Sequence, residues 1–140
     1  MKLTPKFIYF DLDDTLLDHK SAESSALRDI HQHFDCFSNT SLSSLVETYK
    51  KINSRQWKLY GEGAVSRQEL QRNRFEMTLE ELGLDGSRYA EIGTAYMKCY
   101  RNHWKWIEGA EAAFLSIRDH FEIGILTNGF SETQKAKFEQ

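Results

Sequence analysis

Three carboxylates follow an apolar segment close to the amino terminus. Residues 7–10 are all apolar, and Asp11, Asp13, Asp14 and Thr15 come directly after them. Aspartate is depleted in strands and costly to bury without a partner, so this grouping at the end of a strand indicates a site that holds a cation. A carboxylate in such a site can attack phosphorus covalently, while a neighbouring carboxyl group transfers a proton to the leaving group.

A second group of polar residues follows another short apolar segment. Residues 121–126 have the pattern of a strand, and Thr127, Asn128 and Gly129 come after it. In a sheet whose crossovers are helices, the carboxyl ends of parallel strands meet at one edge, where ligands of α/β proteins bind. We therefore expect the second group to lie beside Asp11 at this edge, although an Asn-Gly pair after a strand is also an ordinary turn.

Each of these side chains has a candidate role in phosphoryl transfer. Asp11 would be the nucleophile and Asp13 the general acid and base, and both would be metal ligands. The Thr127 hydroxyl and the backbone amides near Asn128 and Gly129 would bind phosphoryl oxygens. Mg²⁺ would neutralise the charge that gathers between carboxylate and phosphate.

The residues between the two strands have helical patterns. Leu42, Leu45, Tyr49 and Ile52 recur at helical spacing. The Ser-x-x-Glu sequence of residues 66–69 predicts a capping box. The sequence therefore predicts a helical insert between two strands of an α/β unit.

Three further helix signals complete the pattern. Ser87 can cap a helix that contains residues 89–99. Residues 109–120 have the pattern of another helix, and Ser131 with Gln134 has the spacing of a second capping box before a last helix.

Composition limits the possible function classes. The chain has 140 residues, of which 40% are hydrophobic, and a net charge of -3, so it can form a core but offers no electrostatic case for a nucleic-acid polymer. No apolar run approaches the roughly 20 residues that a membrane helix needs, and the amino terminus lacks the apolar core of a signal peptide. The cytoplasm is the expected location, with Cys36 and Cys99 reduced.

The two polar groups resemble the motifs of a known family. The sequence DLDDTL at residues 11–16 resembles the first motif of the haloacid dehalogenase (HAD) superfamily, and LTNG at residues 126–129 resembles its second. That superfamily often carries a helical cap inserted just after the first strand. The resemblance implies an α/β fold with an incomplete Rossmann-like core of parallel strands, formed by residues 1–17 and 107–140, and an all-helical cap over residues 18–106.

The resemblance also implies an activity. Phosphatases of the superfamily carry a second aspartate two residues after the nucleophile, as Asp13 follows Asp11, whereas haloacid dehalogenases do not. The expected function is that of a Mg²⁺-dependent phosphatase acting on a small phosphorylated metabolite through an aspartyl phosphate. The region around residues 56–75 is similar to the caps of bacterial pyrimidine 5′-nucleotidases, in which Trp57 and Tyr60 could stack on a base and Arg74 could reach a phosphate.

The chain departs from the family pattern after the second motif. The family's third motif, a lysine, and its fourth, an acidic pair, are not visible, and Lys135 and Lys137 follow Gly129 too closely to supply the lysine. We therefore expect the first part of a longer hydrolase, with weakened catalysis and with exposed strand edges prone to self-association. A phosphate-binding or structural fragment without turnover is the alternative.

Other interpretations of single residues remain open. Trp57, Tyr60, Trp104 and Trp106 could pack inside the helical bundle instead of contacting substrate. A calcium loop that starts at Asp11 is disfavoured, because such a loop needs a glycine at its sixth position and a glutamate at its twelfth. A zinc site that includes Cys99 and His103 lacks a compact set of ligands.

Overall fold

The computed structural model describes residues 5–140 of the chain. The predicted core range begins at residue 1, so its first four residues lie outside the described part. Among these described residues, two strands and six α-helices follow one another in the order β1 (Phe7–Phe10), α1 (His19–His33), α2 (Leu42–Gly61), α3 (Arg67–Glu81), α4 (Tyr89–Arg101), α5 (Ala110–Arg118), β2 (Glu122–Ile125) and α6 (Ser131–Glu139). The expected α/β class, with a partial parallel sheet and a helical insert, is confirmed.

The chain divides into two compact units. The core unit contains residues 1–22 and 103–140, and the helical unit contains residues 23–102. The sequence interpretation placed these boundaries a few residues away, at 17/18 and 106/107. Residues before Ile107 join the core unit because the Asp18 amide donates to the Lys105 carbonyl at 3.0 Å, and the Ile107 amide donates to the Leu16 carbonyl at 2.8 Å.

The helical unit packs around aromatic and aliphatic side chains. The rings of Tyr49, Phe75 and Tyr96 lie 5.2 to 5.5 Å apart between their centroids, and Tyr49 is fully buried. The predicted capping box at the start of α3 is confirmed, because the Ser66 amide donates to Glu69 Oε2 at 2.7 Å and the Glu69 amide donates to Ser66 Oγ at 3.2 Å. These hydrogen bonds lower the pKa of Glu69.

The predicted cap at Ser87 is wrong. The Asp85 carboxylate accepts a hydrogen bond from the Ser87 amide at 2.9 Å, so Asp85 caps a short 3₁₀ turn over Gly86–Arg88 instead. Helix α4 then begins at Tyr89 without a side-chain cap. An aspartate and a serine two residues apart can each cap the start of a helix, and the spacing alone does not decide which of them does so.

The core unit contains a two-stranded parallel sheet, in which Phe7 pairs with Glu122 and Phe10 pairs with Ile125. One face of the sheet packs against α5, where the rings of Phe10 and Phe114 lie 5.8 Å apart. On β2 a Cβ atom at Gly124 would lie 2.5 Å from the Tyr9 ring, so the absence of a side chain there allows Tyr9 to lie across β2.

Each strand of the described sheet has one unpaired edge, because the sheet contains only two strands. Phe7, Tyr9 and Leu126 are exposed apolar residues beside these edges, and Tyr9 is 67% exposed. These edges are of the kind on which the expected self-association rests, and that expectation stays a prediction. Within residues 5–140, no helix has the length and apolar character needed to cross a membrane.

Both cysteines are free thiols in the helical unit. Partial burial raises the pKa of Cys36 and that of Cys99. Because the thiolate is the reactive form of cysteine, a raised pKa makes both side chains poor nucleophiles near neutral pH.

Candidate active site

The loop after β1 turns back on itself directly after the strand. The Leu12 carbonyl accepts hydrogen bonds from the amides of Leu16 and Leu17 at 2.9 and 3.0 Å. The side chains of these three leucines are buried and form the small core beneath the loop. Asp14 adopts a positive φ of 59°, which aspartate tolerates better than most residues. The buried leucines on either side of residues 13–15 thus anchor the loop and leave its carboxylates at the surface.

Asp11 is the first of these carboxylates and is exposed. Its Oδ2 atom accepts a hydrogen bond from the Thr15 hydroxyl at 3.0 Å. In the part of the chain that the structure describes, the other carboxylate oxygen of Asp11 has no partner. An exposed carboxylate with one free oxygen is accessible to an electrophile or to a cation.

Asp13 is held by two side chains of α6. Lys137 Nζ lies 2.5 Å from Asp13 Oδ1, and Gln134 Nε2 donates to Asp13 Oδ2 at 2.9 Å. The side chain of Lys137 is only 2% exposed and that of Asp13 is 29% exposed. The Lys137 ammonium group also lies 5.6 Å from the centre of the Trp104 ring. An ion pair with a nearly buried lysine therefore fixes the second carboxylate.

Thr127 lies at the same edge, joined to Asp13 through Gln134. The Gln134 amide donates to Thr127 Oγ1 at 2.6 Å, and the Gly129 backbone amide donates to the same oxygen at 3.2 Å. Asp11 follows the last residue of β1 there, and the Leu126 amide extends the ladder by donating to the Phe10 carbonyl at 2.8 Å. The structure thus brings the two polar groups together at the carboxyl ends of both strands.

Gln134 and Lys137 are site residues that sequence reasoning missed. The predicted capping box of Ser131 with Gln134 is wrong, because α6 already begins at Ser131 and its N-cap, Phe130, has no polar side chain. The Gln134 side-chain amide donates to Asp13 and Thr127 instead. Lys137 was given no role, and its partner is Asp13 rather than the presumed nucleophile Asp11. Their spacing of three residues, which puts both on one helix face, was the available signal.

Gly129 leaves the space that Gln134 occupies. Its φ is not positive, but a Cβ atom at this position would lie 2.6 Å from Gln134 Cδ and even closer to Nε2. We expect Gly129→Ala to push the Gln134 amide away from its partners and to lower the free energy of unfolding by about 1–3 kcal/mol. Urea unfolding followed by circular dichroism measures this change.

Gly61→Ala is the matched control for that substitution. Nothing lies within 4 Å of a Cβ atom at Gly61, which ends α2 with a negative φ. Alanine there should leave stability unchanged or raise it by up to about 1 kcal/mol. Equal effects of the two substitutions would contradict the steric role of Gly129.

The three candidate substrate contacts lie in the helical unit. The rings of Trp57 and Tyr60 meet edge to face, with centroids 5.9 Å apart. The Arg74 guanidinium lies over the rings of Phe75 and Tyr96, at 5.3 and 5.7 Å, and its side chain lines a groove of about 1190 Å³ between α3 and α4. These contacts agree with packing inside the unit, and substrate binding by these residues stays a prediction.

The donor atoms decide which metal the core unit suits. Among residues 5–140 there is no group of three or more His, Cys, Asp or Glu side chains that could hold a metal, so the zinc hypothesis has no support in the geometry. The exposed Asp11 carboxylate suits an ion that prefers oxygen and keeps several waters, as Mg²⁺ does. Both oxygens of Asp13 already accept hydrogen bonds, so its side chain binds an ion only by sharing them with Lys137 and Gln134.

Comparisons with known proteins agree with the motifs. No family model matches the sequence. The HAD-hydrolase YfnB of Bacillus subtilis is 32% identical over 128 residues, which are 91% of this chain and 52% of YfnB. Pyrimidine 5′-nucleotidase YjjG of Escherichia coli is 29% identical over 134 residues, 96% of this chain and 56% of YjjG. The chain spans about half the length of the curated relatives it matches.

Solved structures give the same result. A crystal structure of YfnB bound to magnesium matches 96% of this chain and 58% of that chain, with a TM-score of 0.83 and 31% identity. The defluorinating L-2-haloacid dehalogenase Rha0230 matches 96% of this chain and 55% of that chain, with a TM-score of 0.72. At 16% identity, the second match shows a shared fold alone.

Proposed function

Because the chain belongs to the haloacid dehalogenase-like hydrolases, we propose that it is a Mg²⁺-dependent phosphomonoester hydrolase. The observation that carries the proposal is the convergence of Asp11, Asp13 and Thr127 at one sheet edge. Pyrimidine 5′-nucleotidases among its relatives make a nucleoside monophosphate the favoured substrate. Dehalogenation is disfavoured, because a second carboxylate placed to transfer protons suits an alcohol leaving group rather than a halide.

The proposed reaction has two steps. Asp11 attacks the phosphorus atom, the bond from phosphorus to the alcohol oxygen breaks, and Asp13 donates a proton to that oxygen. Asp13 then accepts a proton from water, which attacks the phosphorus of the aspartyl phosphate, so that inorganic phosphate leaves and Asp11 is regenerated. Thr127 and the amides near Asn128 and Gly129 would bind the phosphoryl oxygens.

The contacts of the two aspartates support this division of roles. Asp11 is exposed and has one free oxygen, which suits a nucleophile, whereas Asp13 is oriented by two donors that leave a second lone pair on each of its oxygens for a proton. Asp11 would also be the main protein ligand of Mg²⁺, with Asp13 as a second. The ion, when bound, supplies positive charge between carboxylate and phosphate.

The helical unit would supply selectivity. Trp57 and Tyr60 offer aromatic rings for a base, and Arg74 offers a guanidinium group for an anionic part of the substrate. The groove that Arg74 lines also contains Arg72, Lys98 and Arg101, so it carries more positive than negative side chains.

Release of inorganic phosphate tests the proposal directly. The chain is incubated with Mg²⁺ and a panel that contains UMP, dTMP, AMP, sugar phosphates and p-nitrophenyl phosphate. We expect phosphate release that is fastest with the pyrimidine nucleotides and that EDTA abolishes. Calorimetric titration with inorganic phosphate detects binding in the absence of turnover. That result would contradict the hydrolase proposal and would favour a phosphate-binding protein instead.

A further inference from the structure

We infer that Gln134 and Lys137 of α6 are positioning residues, which act on the proposed reaction through Thr127 and Asp13. Gln134 commits the Thr127 hydroxyl to donating its proton, and Lys137 holds the Asp13 carboxylate in one orientation. The inference rests on the proposed function for its chemistry, but the contacts themselves belong to the core unit alone.

Gln134 fills part of the hydrogen-bonding capacity of the Thr127 hydroxyl. A threonine hydroxyl can accept two hydrogen bonds and donate one. Thr127 Oγ1 already accepts one from Gln134 Nε2 and one from the Gly129 amide. The only hydrogen bond that the Thr127 hydroxyl can still make is one in which it donates its proton. It can therefore donate to an anionic phosphoryl oxygen but cannot accept a further hydrogen bond.

Lys137 is buried beside the Asp13 carboxylate. The side chain of Lys137 is almost fully enclosed, and its ammonium group lies against Asp13 Oδ1 and near the Trp104 ring. Gln134 occupies the other oxygen of the same carboxylate. Two donors on two oxygens fix the plane of the group, and a fixed general acid and base needs no reorientation during the reaction.

Helix geometry supplies a matched control. Gln134 and Lys137 are three residues apart and share one face of α6, whereas Lys135 is exposed. A substitution at Lys135 therefore changes the same charge on the same helix without touching the site.

The experiment compares Gln134→Met, Lys137→Met and Lys135→Met in the whole chain with UMP, whose alcohol leaving group needs a proton. Gln134→Met should raise KM and the Kd for inorganic phosphate about 10-fold, which is the loss of one oriented hydrogen bond. Lys137→Met should lower kcat about 100-fold with KM within about twofold, at the low end for proton-transfer catalysis. Lys137→Arg should recover most of kcat, and Lys135→Met should match the wild type.

Thr127→Val provides the second line of evidence. If Gln134 acts through Thr127, the Thr127→Val and Gln134→Met effects on phosphate affinity should not add in the double variant. Additive effects, an unchanged KM in Gln134→Met, or equal losses in Lys137→Met and Lys135→Met would overturn the inference. Circular dichroism of each variant shows whether the fold is retained. If Gln134→Met unfolds, the phosphate affinity of Thr127→Val is compared with that of the wild type instead.

The two proposals fail in different ways. If the wild type releases no phosphate, the hydrolase proposal fails, and calorimetric Kd values for inorganic phosphate then decide the inference. A Gln134→Met variant that binds phosphate about 10-fold more weakly than Lys135→Met would support it. A wild type that neither turns over nor binds phosphate would overturn both.

Discussion

An Asp11→Asn variant is expected to lose at least about 10,000-fold in kcat for phosphate release, because an amide cannot form the aspartyl phosphate. The substitution preserves the shape of the side chain and its hydrogen bond with the Thr15 hydroxyl. Since Asp11 is exposed, stability should change by no more than about 0.5 kcal/mol. Steady-state phosphate release and thermal unfolding measure the two quantities.

The control for this variant is Asp119→Asn. Asp119 is an exposed carboxylate of the core unit that makes a loose contact with Arg118, at 3.8 Å, and lies outside the proposed site. Its replacement removes one negative charge without an effect on turnover. An Asp11→Asn variant that keeps more than a tenth of the wild-type rate would rule out Asp11 as the nucleophile.

Asp13→Ala is expected to lower the free energy of unfolding by about 3 kcal/mol, because it removes the carboxylate from an ion pair whose lysine side chain is only 2% exposed. Asp11→Ala, two residues away, should cost only about 0.5 kcal/mol. Urea unfolding of both variants measures the difference. Two carboxylates of one motif should thus differ several-fold in their contribution to stability.

The double variant tests the physical cause. Adding Lys137→Met to Asp13→Ala also removes the ammonium group of the former ion pair. The free energy of unfolding of the double variant should therefore return to within about 1 kcal/mol of the wild-type value. If the second substitution lowers stability further, the loss in Asp13→Ala has another origin than the broken Asp13–Lys137 ion pair.

Local patterns were sufficient to predict the strands and the convergence of their ends. Apolar residues 7–10 and 121–126 predict β1 and β2 to within a residue or two, and the capping box at Ser66 predicts the start of α3. These signals depend only on residues that are close in sequence, so they can be recognised without knowledge of the tertiary structure. The parallel edge then follows from topology.

The roles of Gln134 and Lys137 were not predicted, and both omissions have the same physical cause. Gln134 has the spacing of a capping residue, but its side-chain amide donates instead to the half-buried carboxylate of Asp13, more than a hundred positions earlier in the sequence. The sequence pattern around Lys137 is that of a solvated helix residue, but in the structure its side chain is enclosed and lies against Asp13 and near Trp104. Contacts between distant residues decide both cases, and a single sequence does not encode them as a periodic pattern.

The parallel pairing of β1 with β2 has a kinetic consequence. Phe7 pairs with Glu122, so during synthesis the two strands can pair only after all the residues between them have been added. Loop-closure entropy opposes such a pairing, whereas the contacts within and between successive helices are local and fast to form. The sheet edge is therefore late in the folding sequence, and until it forms β1 remains open to pairing with other chains.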